Sequence, residues 1–187
     1  MTDTTETDVV VRPASVEDRP VVQRLWLMFH HDLSEFRRLL PRPDGTFPTE
    51  RVEDAFSSPD WAPYLFVQGE RPVGFAFVRG LGAPVRGLNS FFVVRGARRT
   101  GLGLRTVREV LTWHPGNWEI AFQYENPGAV AFWRRVAAEL AGDAWTEETR
   151  PVPGKPELPP DVWISFGVGG VSARRAQPEL TCRYLPA

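Results

Sequence analysis

The stretch "FFVVRGARRTGLGLRTVREVL", Phe91 to Leu111, limits the fold more than any other part of the chain. Its first residues are aromatic and β-branched, which predicts a buried strand. Its last part places Leu104, Val107, Val110 and Leu111 on one face of a helix. A strand that runs straight into a helix is a building unit of mixed α/β architecture. The turn between them holds Arg95, Arg98, Arg99 and Thr100 together with Gly96, Gly101 and Gly103. A change of direction needs one glycine. Three allow the backbone to approach a ligand with no Cβ in the way. The first four amides of a helix have no partner inside it, and the helix dipole adds roughly half a positive charge at that end. With Arg98 and Arg99 beside them, these amides predict an anion cradle, and a polyphosphate suits it best.

Other elements follow from patterning. "VVVRP" predicts a strand from Val9 to Arg12, and Ser15 with Asp18 predicts a helix start. A first helix carries Val21 or Val22, Leu25 and Met28 or Phe29, and a second helical piece is expected through "DLSEFRRLL". "PRPDGTFP" reads as a loop and "TERVEDAF" as a short helix. "YLFVQGERPVGFAFVRG" predicts a hairpin starting at Tyr64, and "GLNSFFVV" the fourth strand. "WEIAFQ" alternates Trp118, Ile120 and Phe122 as a fifth strand. "NPGAVAFWRRVAAEL" predicts a helix capped by Asn126 with Pro127 in its first turn. "AWTEETR" and "DVWISF" are the last two strands, joined by a proline-rich loop. The expectation is an α/β (α+β) domain over residues 8–166 with a mixed sheet of about seven strands flanked by helices. Residues 1–7 are expected to be disordered, and 167–187 to form a flexible or loosely packed tail.

Composition excludes several function classes. The 187 residues carry a net charge of −1, which gives no global attraction to nucleic acid or membrane. Anion binding must therefore be local. A single cysteine, Cys182, supports neither an internal disulfide framework nor a zinc cluster, so no metal is expected. The opening "MTDTTETD" is polar and acidic rather than a signal peptide, and a cytoplasmic protein is the default expectation.

Neither a Walker loop nor a dinucleotide-binding turn fits the spacing, because no Gly-Lys-Ser/Thr is present and Thr106 stands where a third glycine would be. Arg98-x-x-Gly101-x-Gly103 instead resembles the R/Q-x-x-G-x-G/A pyrophosphate loop of the GNAT superfamily of N-acetyltransferases. "VVRPASVEDRPVVQRL" is similar to that family's opening strand and helix, and "NPGAVAFWRRV" to its Asn-led helix after the fifth strand. The resemblance implies a GNAT fold whose mostly antiparallel, twisted sheet splays between strands 4 and 5, with acetyl-CoA as co-substrate in the gap. It implies that Phe92, Val93 and Val94 offer backbone to the pantetheine arm. Arg98, Arg99, Thr100, Gly101, Leu102 and Gly103 would hold the pyrophosphate. Asn126 would touch the pantetheine, or serve as a helix cap, or both. A homodimer is possible, as in many members.

The acceptor side is less legible. "FHHDLSEF" supplies candidate acceptor-binding residues His30, Asp32 and Glu35, of which Asp32 and Glu35 would attract a cationic amine, and His31, which would accept its proton; a solvated polar face is the alternative. Several members place a carboxylate base on the fourth strand, whereas Asn89 and Ser90 stand here. Many donate a proton from a Tyr where this chain has Trp133, after Phe132; both aromatics are expected in the core. Tyr124 is then the nearest phenol to protonate the leaving thiolate. The resulting expectation is an N-acetyltransferase acting on the primary amine of a small molecule by direct attack in a ternary complex. The alternatives are a non-catalytic acyl-CoA-binding module, or a transferase using another acyl-CoA or an aminoacyl-tRNA, the last disfavoured by the charge.

Overall fold

Strand β3 (Arg71–Arg79) is buried from Val73 to Val78 because both of its faces are covered. It is the third member of a seven-stranded sheet ordered β1-β2-β3-β4-β5-β7-β6. The other strands are β1 (Val9–Pro13), β2 (Trp61–Gln68), β4 (Val85–Val93), β5 (Gly116–Gln123), β6 (Trp145–Arg150) and β7 (Asp161–Val168). The computed structural model describes residues 8–152 and 155–169. All pairings are antiparallel except β4 with β5, which run parallel. Helices α1 (Arg19–Arg37) and α2 (Glu50–Ser57) cover one face, and α3 (Leu102–Thr112) and α4 (Pro127–Ala141) cover the other.

The period-2 alternation of the strands sorts their side chains between two cores. Phe75 and Phe77 of β3 meet Val22, Leu25 and Trp26 of α1. Trp26 is 1% exposed and stacks at 5.8 Å on Phe77, while its Nε1 donates to the Pro48 carbonyl at 2.8 Å. Burying a side chain of this kind contributes about 2–3 kcal/mol. On the other face, Trp118, Ile120 and Phe122 of β5 and Val162, Ile164 and Phe166 of β7 meet Val107, Val110 and Val136 of α3 and α4. Phe132 and Trp133 belong to this core, as expected. Trp133 is buried and meets Phe91 edge-on, and Phe132 stacks on the same ring.

Parallel pairing of β4 and β5 lasts only for Val85, Arg86 and Gly87 against Asn117, Trp118 and Glu119. A register shift beside this region pairs Phe77 with Ser90 but Val78 with Leu88, leaving Asn89 as the extra residue of a β-bulge. Bulges bend and twist the strand that carries them. Beyond Gly87 the two strands part, which is the expected splay.

Several boundaries differ from expectation. α1 is one helix without a break before "DLSEF". Its last turn is held because Arg37, with a side chain only 5% exposed, donates to Asp161 at 2.7 Å and to the Pro159 carbonyl at 3.1 Å. β2 begins at Trp61 rather than Tyr64 and accommodates Pro63, whose carbonyl accepts from the Ala14 amide. β7 extends to Val168, because Gly167 and Val168 pair with Asn117 and Gly116. Ser15 caps a 3-10 turn, Val16–Asp18, ahead of α1. The expected disorder of residues 1–7, and the expected tail beyond Gly169, lie outside the described residues. No described helix is long and apolar enough to cross a membrane.

Candidate active site

The turn from β4 to α3 is built as a nest of amides. A 3-10 turn, Arg95–Ala97, is followed by Arg98 in extended conformation. Arg99 and Gly101 then both take left-handed backbone, with φ of +64° and +82°. For a non-glycine residue that conformation costs about 1–3 kcal/mol, and such strain gathers at functional sites. Gly101 is the N-cap of α3, and a Cβ placed there would meet nothing within 4 Å, so the space before the helix is open. Gly103 has a packing reason: a Cβ would come within 3.4 Å of the Phe132 ring. A cavity of about 370 Å³ lies against Gly96, Ala97, Thr100, Gly101, Leu102 and Arg105. Thr100 turns its hydroxyl back onto the Ala97 carbonyl at 3.0 Å.

The β4 edge facing the gap is more selective than its sequence implied. The Val94 amide donates to the Val73 carbonyl of β3 at 2.9 Å, so it is not free to receive a ligand. Antiparallel alternation gives Phe92 the same orientation and turns the N–H and C=O of Phe91 and Val93 toward the gap. The Val93 carbonyl accepts there from Arg98 Nε at 2.7 Å. Arg98 also lies 5.5 Å over the Phe92 ring.

Asp32 has a different position from the one its neighbours in sequence suggested. Its carboxylate accepts from Arg95 at 2.9 Å and from Arg98, which ties α1 to the glycine-arginine turn. Glu35 reaches Arg95 only at 3.9 Å. His31 is exposed, whereas His30 stacks on Phe47 at 4.9 Å and against Trp26. Burial, and then the charges of Arg51 and Lys155, push the His30 pKa down to about 4. His30 is therefore a neutral packing residue at neutral pH, and the structure does not bring His30, His31, Asp32 and Glu35 into one cluster.

Asn126 caps α4, its Oδ1 accepting from the Ala129 amide at 3.0 Å. Tyr124 stands just past the end of β5 and is 67% exposed.

A carboxylate outside the residues expected from sequence lies at the foot of the splay. Glu119 of β5 pairs in register with Gly87, which pairs with Arg79, which pairs with Trp61; on the other side Glu119 faces Ser165. All lie on the α1/α2 face of the sheet. Glu119 Oε1 takes Arg150 at 2.9 Å. The signal was present in "WEIAFQ": Glu119 is the charged residue on the side of β5 opposite Trp118 and Ile120. Higher on the same face, Gln123 Oε1, Trp163 Nε1 and both His30 ring nitrogens are buried without a hydrogen-bond partner among the described residues. Unsatisfied buried polar atoms are uncommon in folded proteins, and here they lie in the region between α1 and the separated strands.

This combination offers an anion cradle at a helix N-terminus, a half-open strand edge beside it and a carboxylate at the base of the gap. Comparisons with known proteins give the family and the fold. A model of the acetyltransferase (GNAT) family matches residues 26–137. Similar solved structures include an acetyltransferase from Thermus thermophilus, at 20% identity and a TM-score of 0.59, covering 87% of this chain and 99% of that one. Aminoglycoside acetyltransferase AAC(6')-Ib in complex with coenzyme A is 15% identical, with a TM-score of 0.60 and coverage of 86% and 95%. The ribosomal-protein-S18-alanine N-acetyltransferase from Escherichia coli is 12% identical, with a TM-score of 0.59 and coverage of 91% and 100%. No curated protein matches the chain significantly.

Proposed function

Because the chain belongs to the GNAT family of acetyltransferases, we propose that it is an acetyl-CoA-dependent N-acetyltransferase acting on the primary amine of a small molecule. The observation that carries this reading is the amide nest from Arg98 to Gly103, open to solvent at the N-terminus of α3 and adjoining the parted edge of β4. Acetyl-CoA supplies an acyl group already activated as a thioester. The chain's own part is to bind, orient and move protons. The amides of Thr100, Gly101, Leu102 and Gly103, with Arg98 and Arg99, receive the pyrophosphate. The Val93 N–H points into the gap, where it polarises the thioester carbonyl as an oxyanion donor does. Holding both reactants in one cleft supplies much of the rate by proximity.

Glu119 is the general base in this scheme, in place of the fourth-strand carboxylate that this chain lacks. Its Oε1 is committed to Arg150, and its Oε2 is free to take the proton that leaves the amine. Starting from the ammonium, one proton passes to Glu119, the N–C bond forms as the C–S bond breaks, and the second proton shed by the nitrogen accounts for the one taken up by the departing sulfur. His31 is exposed at the outer surface of α1, a position less suited to a base.

The test is release of CoA thiol from acetyl-CoA across a panel of amines, paired with calorimetric CoA binding. Gly101→Glu puts a side chain and a negative charge into the cradle, and is expected to weaken CoA binding at least 100-fold in a folded protein. Unchanged CoA affinity in that variant would overturn the proposal.

A further inference from the structure

A cavity of about 320 Å³ opens at the foot of the splay, with Arg79, Arg86, Gly87, Glu119, Asp60 and Trp61 in its walls. Two of its four charged groups are already engaged. Asp60 accepts from the amides of Gly80 and Gly82 at 3.1 and 3.2 Å and so holds the β3–β4 turn. Arg86 donates to the Pro115 carbonyl at 2.9 Å. Two groups are not engaged in this way. Glu119 Oε2 makes no hydrogen bond among the described residues, since both contacts of that carboxylate fall on Oε1. Arg79 makes no ion pair or side-chain hydrogen bond among the described residues.

Gly87 explains how the two are held. It lies between them in register, and the Arg79 stem runs across it, with Nε only 2.9 Å from where a Cβ would be. A glycine is needed there for Arg79 to lie flat on the sheet. Two strand spacings put the Arg79 and Glu119 backbones about 10 Å apart. The two side chains do not close into an ion pair, because Arg150 draws Glu119 toward the other side. A cation and an anion are thus presented side by side, facing into one small cavity.

Arg79 has no carboxylate partner of its own among the described residues, so the cavity holds a guanidinium open to an anion. A guanidinium fork matches a carboxylate in shape and charge.

We infer that the acceptor amine also carries a carboxylate, which Arg79 receives while Glu119 receives the ammonium. The substrate class is an amino acid or a small molecule of amino-acid type. A single carboxylate suits a cavity that already contains Glu119 and Asp60 better than a doubly charged phosphate does. This inference rests on the transferase reading above and specifies its acceptor.

The experiment compares matched pairs of acceptors, each an amino acid and the amine left on its decarboxylation, with an aminoalkyl phosphate as a third arm. CoA release gives kcat/KM, and calorimetry in the presence of CoA gives acceptor binding. The carboxylate-bearing member is expected to win by at least tenfold. Arg79→Gln is expected to bring the ratio close to one by raising KM for that member only. Gly87→Ala, which displaces the Arg79 stem without removing its charge, should reduce the ratio part of the way. Equal rates within each pair, preference for the phosphate, or an unchanged ratio in Arg79→Gln would overturn the inference while leaving an acetyltransferase. Amino acids that bind the CoA complex through Arg79 without any CoA release would support the inference and overturn the transferase reading. No binding of any amino acid would overturn the inference.

Discussion

The Asp32 carboxylate holds Arg98, the arginine of the proposed pyrophosphate loop, across the junction between α1 and the turn after β4. Arg95 joins the same carboxylate at 2.9 Å. Asp32 is 16% exposed while Arg98 and Arg95 are 39% and 65% exposed, so the arginines remain open to solvent on their outer side. An incoming pyrophosphate would compete with Asp32 for both guanidinium groups and would be repelled by it.

Replacing Asp32 is therefore expected to strengthen CoA binding. Each exposed ion pair is worth up to about 1 kcal/mol, and 1.4 kcal/mol is about tenfold in affinity. Asp32→Asn should lower the CoA Kd roughly threefold to tenfold at low ionic strength, with a smaller gain in high salt. Isothermal titration at two salt concentrations checks it. A weaker Kd would mean that Asp32 aligns Arg98 for the ligand rather than competing with it.

His30 gives the fold a dependence on acid. Its pKa is about 4 in the folded chain and near 6.5 when unfolded. As the pH falls through 6.5 the unfolded chain takes up a proton that the folded one refuses, so stability is lost between about pH 6.5 and 4. At pH 5 the loss is about 1–2 kcal/mol, allowing for solvent screening at a half-buried ring. His30→Phe keeps the stacking on Phe47 and removes the proton. The drop in Tm between pH 7 and pH 5 should be several degrees smaller in the variant. Asp18 and Glu147, whose carboxyls are held below the usual range chiefly by hydrogen bonds from Arg12 and Arg134, contribute equally to both proteins. An identical drop would assign the acid sensitivity to groups other than His30.

What could be read from the sequence was whatever depends on neighbours along the chain. The cradle was legible because a strand, three glycines and a helix are consecutive, and glycine spacing reports backbone directly. Asn126 was legible as a cap for the same reason. Contacts between distant segments were not. Nothing near Asp32 in sequence points to Arg95, 63 positions away. Glu119 was hidden because its role depends on which side of β5 faces the gap and on the register that sets it beside Gly87. The continuity of α1 depends on Arg37 reaching β7, a contact over 124 residues. Gly167 disfavours a strand by propensity, yet its pairing with Asn117 carries β7 past Phe166.

The remaining proton belongs to the sulfur. Trp133 stands where the family pattern has its tyrosine, and it is buried against Phe91 and Phe132. An indole N–H is a donor but not a usable acid. Tyr124 follows the last residue of β5, past the point where β4 and β5 have separated, and its hydroxyl makes no hydrogen bond among the described residues. Phenols and alkyl thiols have comparable acidities, so proton transfer between them is nearly balanced in energy. At 67% exposure the ring is free to turn toward the gap when the pantetheine arm occupies it. Tyr124→Phe is expected to lower kcat roughly tenfold to a hundredfold and leave the acetyl-CoA KM nearly unchanged, because the proton is needed only as the C–S bond breaks. Glu119→Gln provides the contrast: it removes the acceptor of the amine's proton and should lower kcat/KM roughly a hundredfold. Wild-type turnover in Tyr124→Phe would assign the proton to solvent and leave positioning by the cradle and Glu119 as the main source of rate.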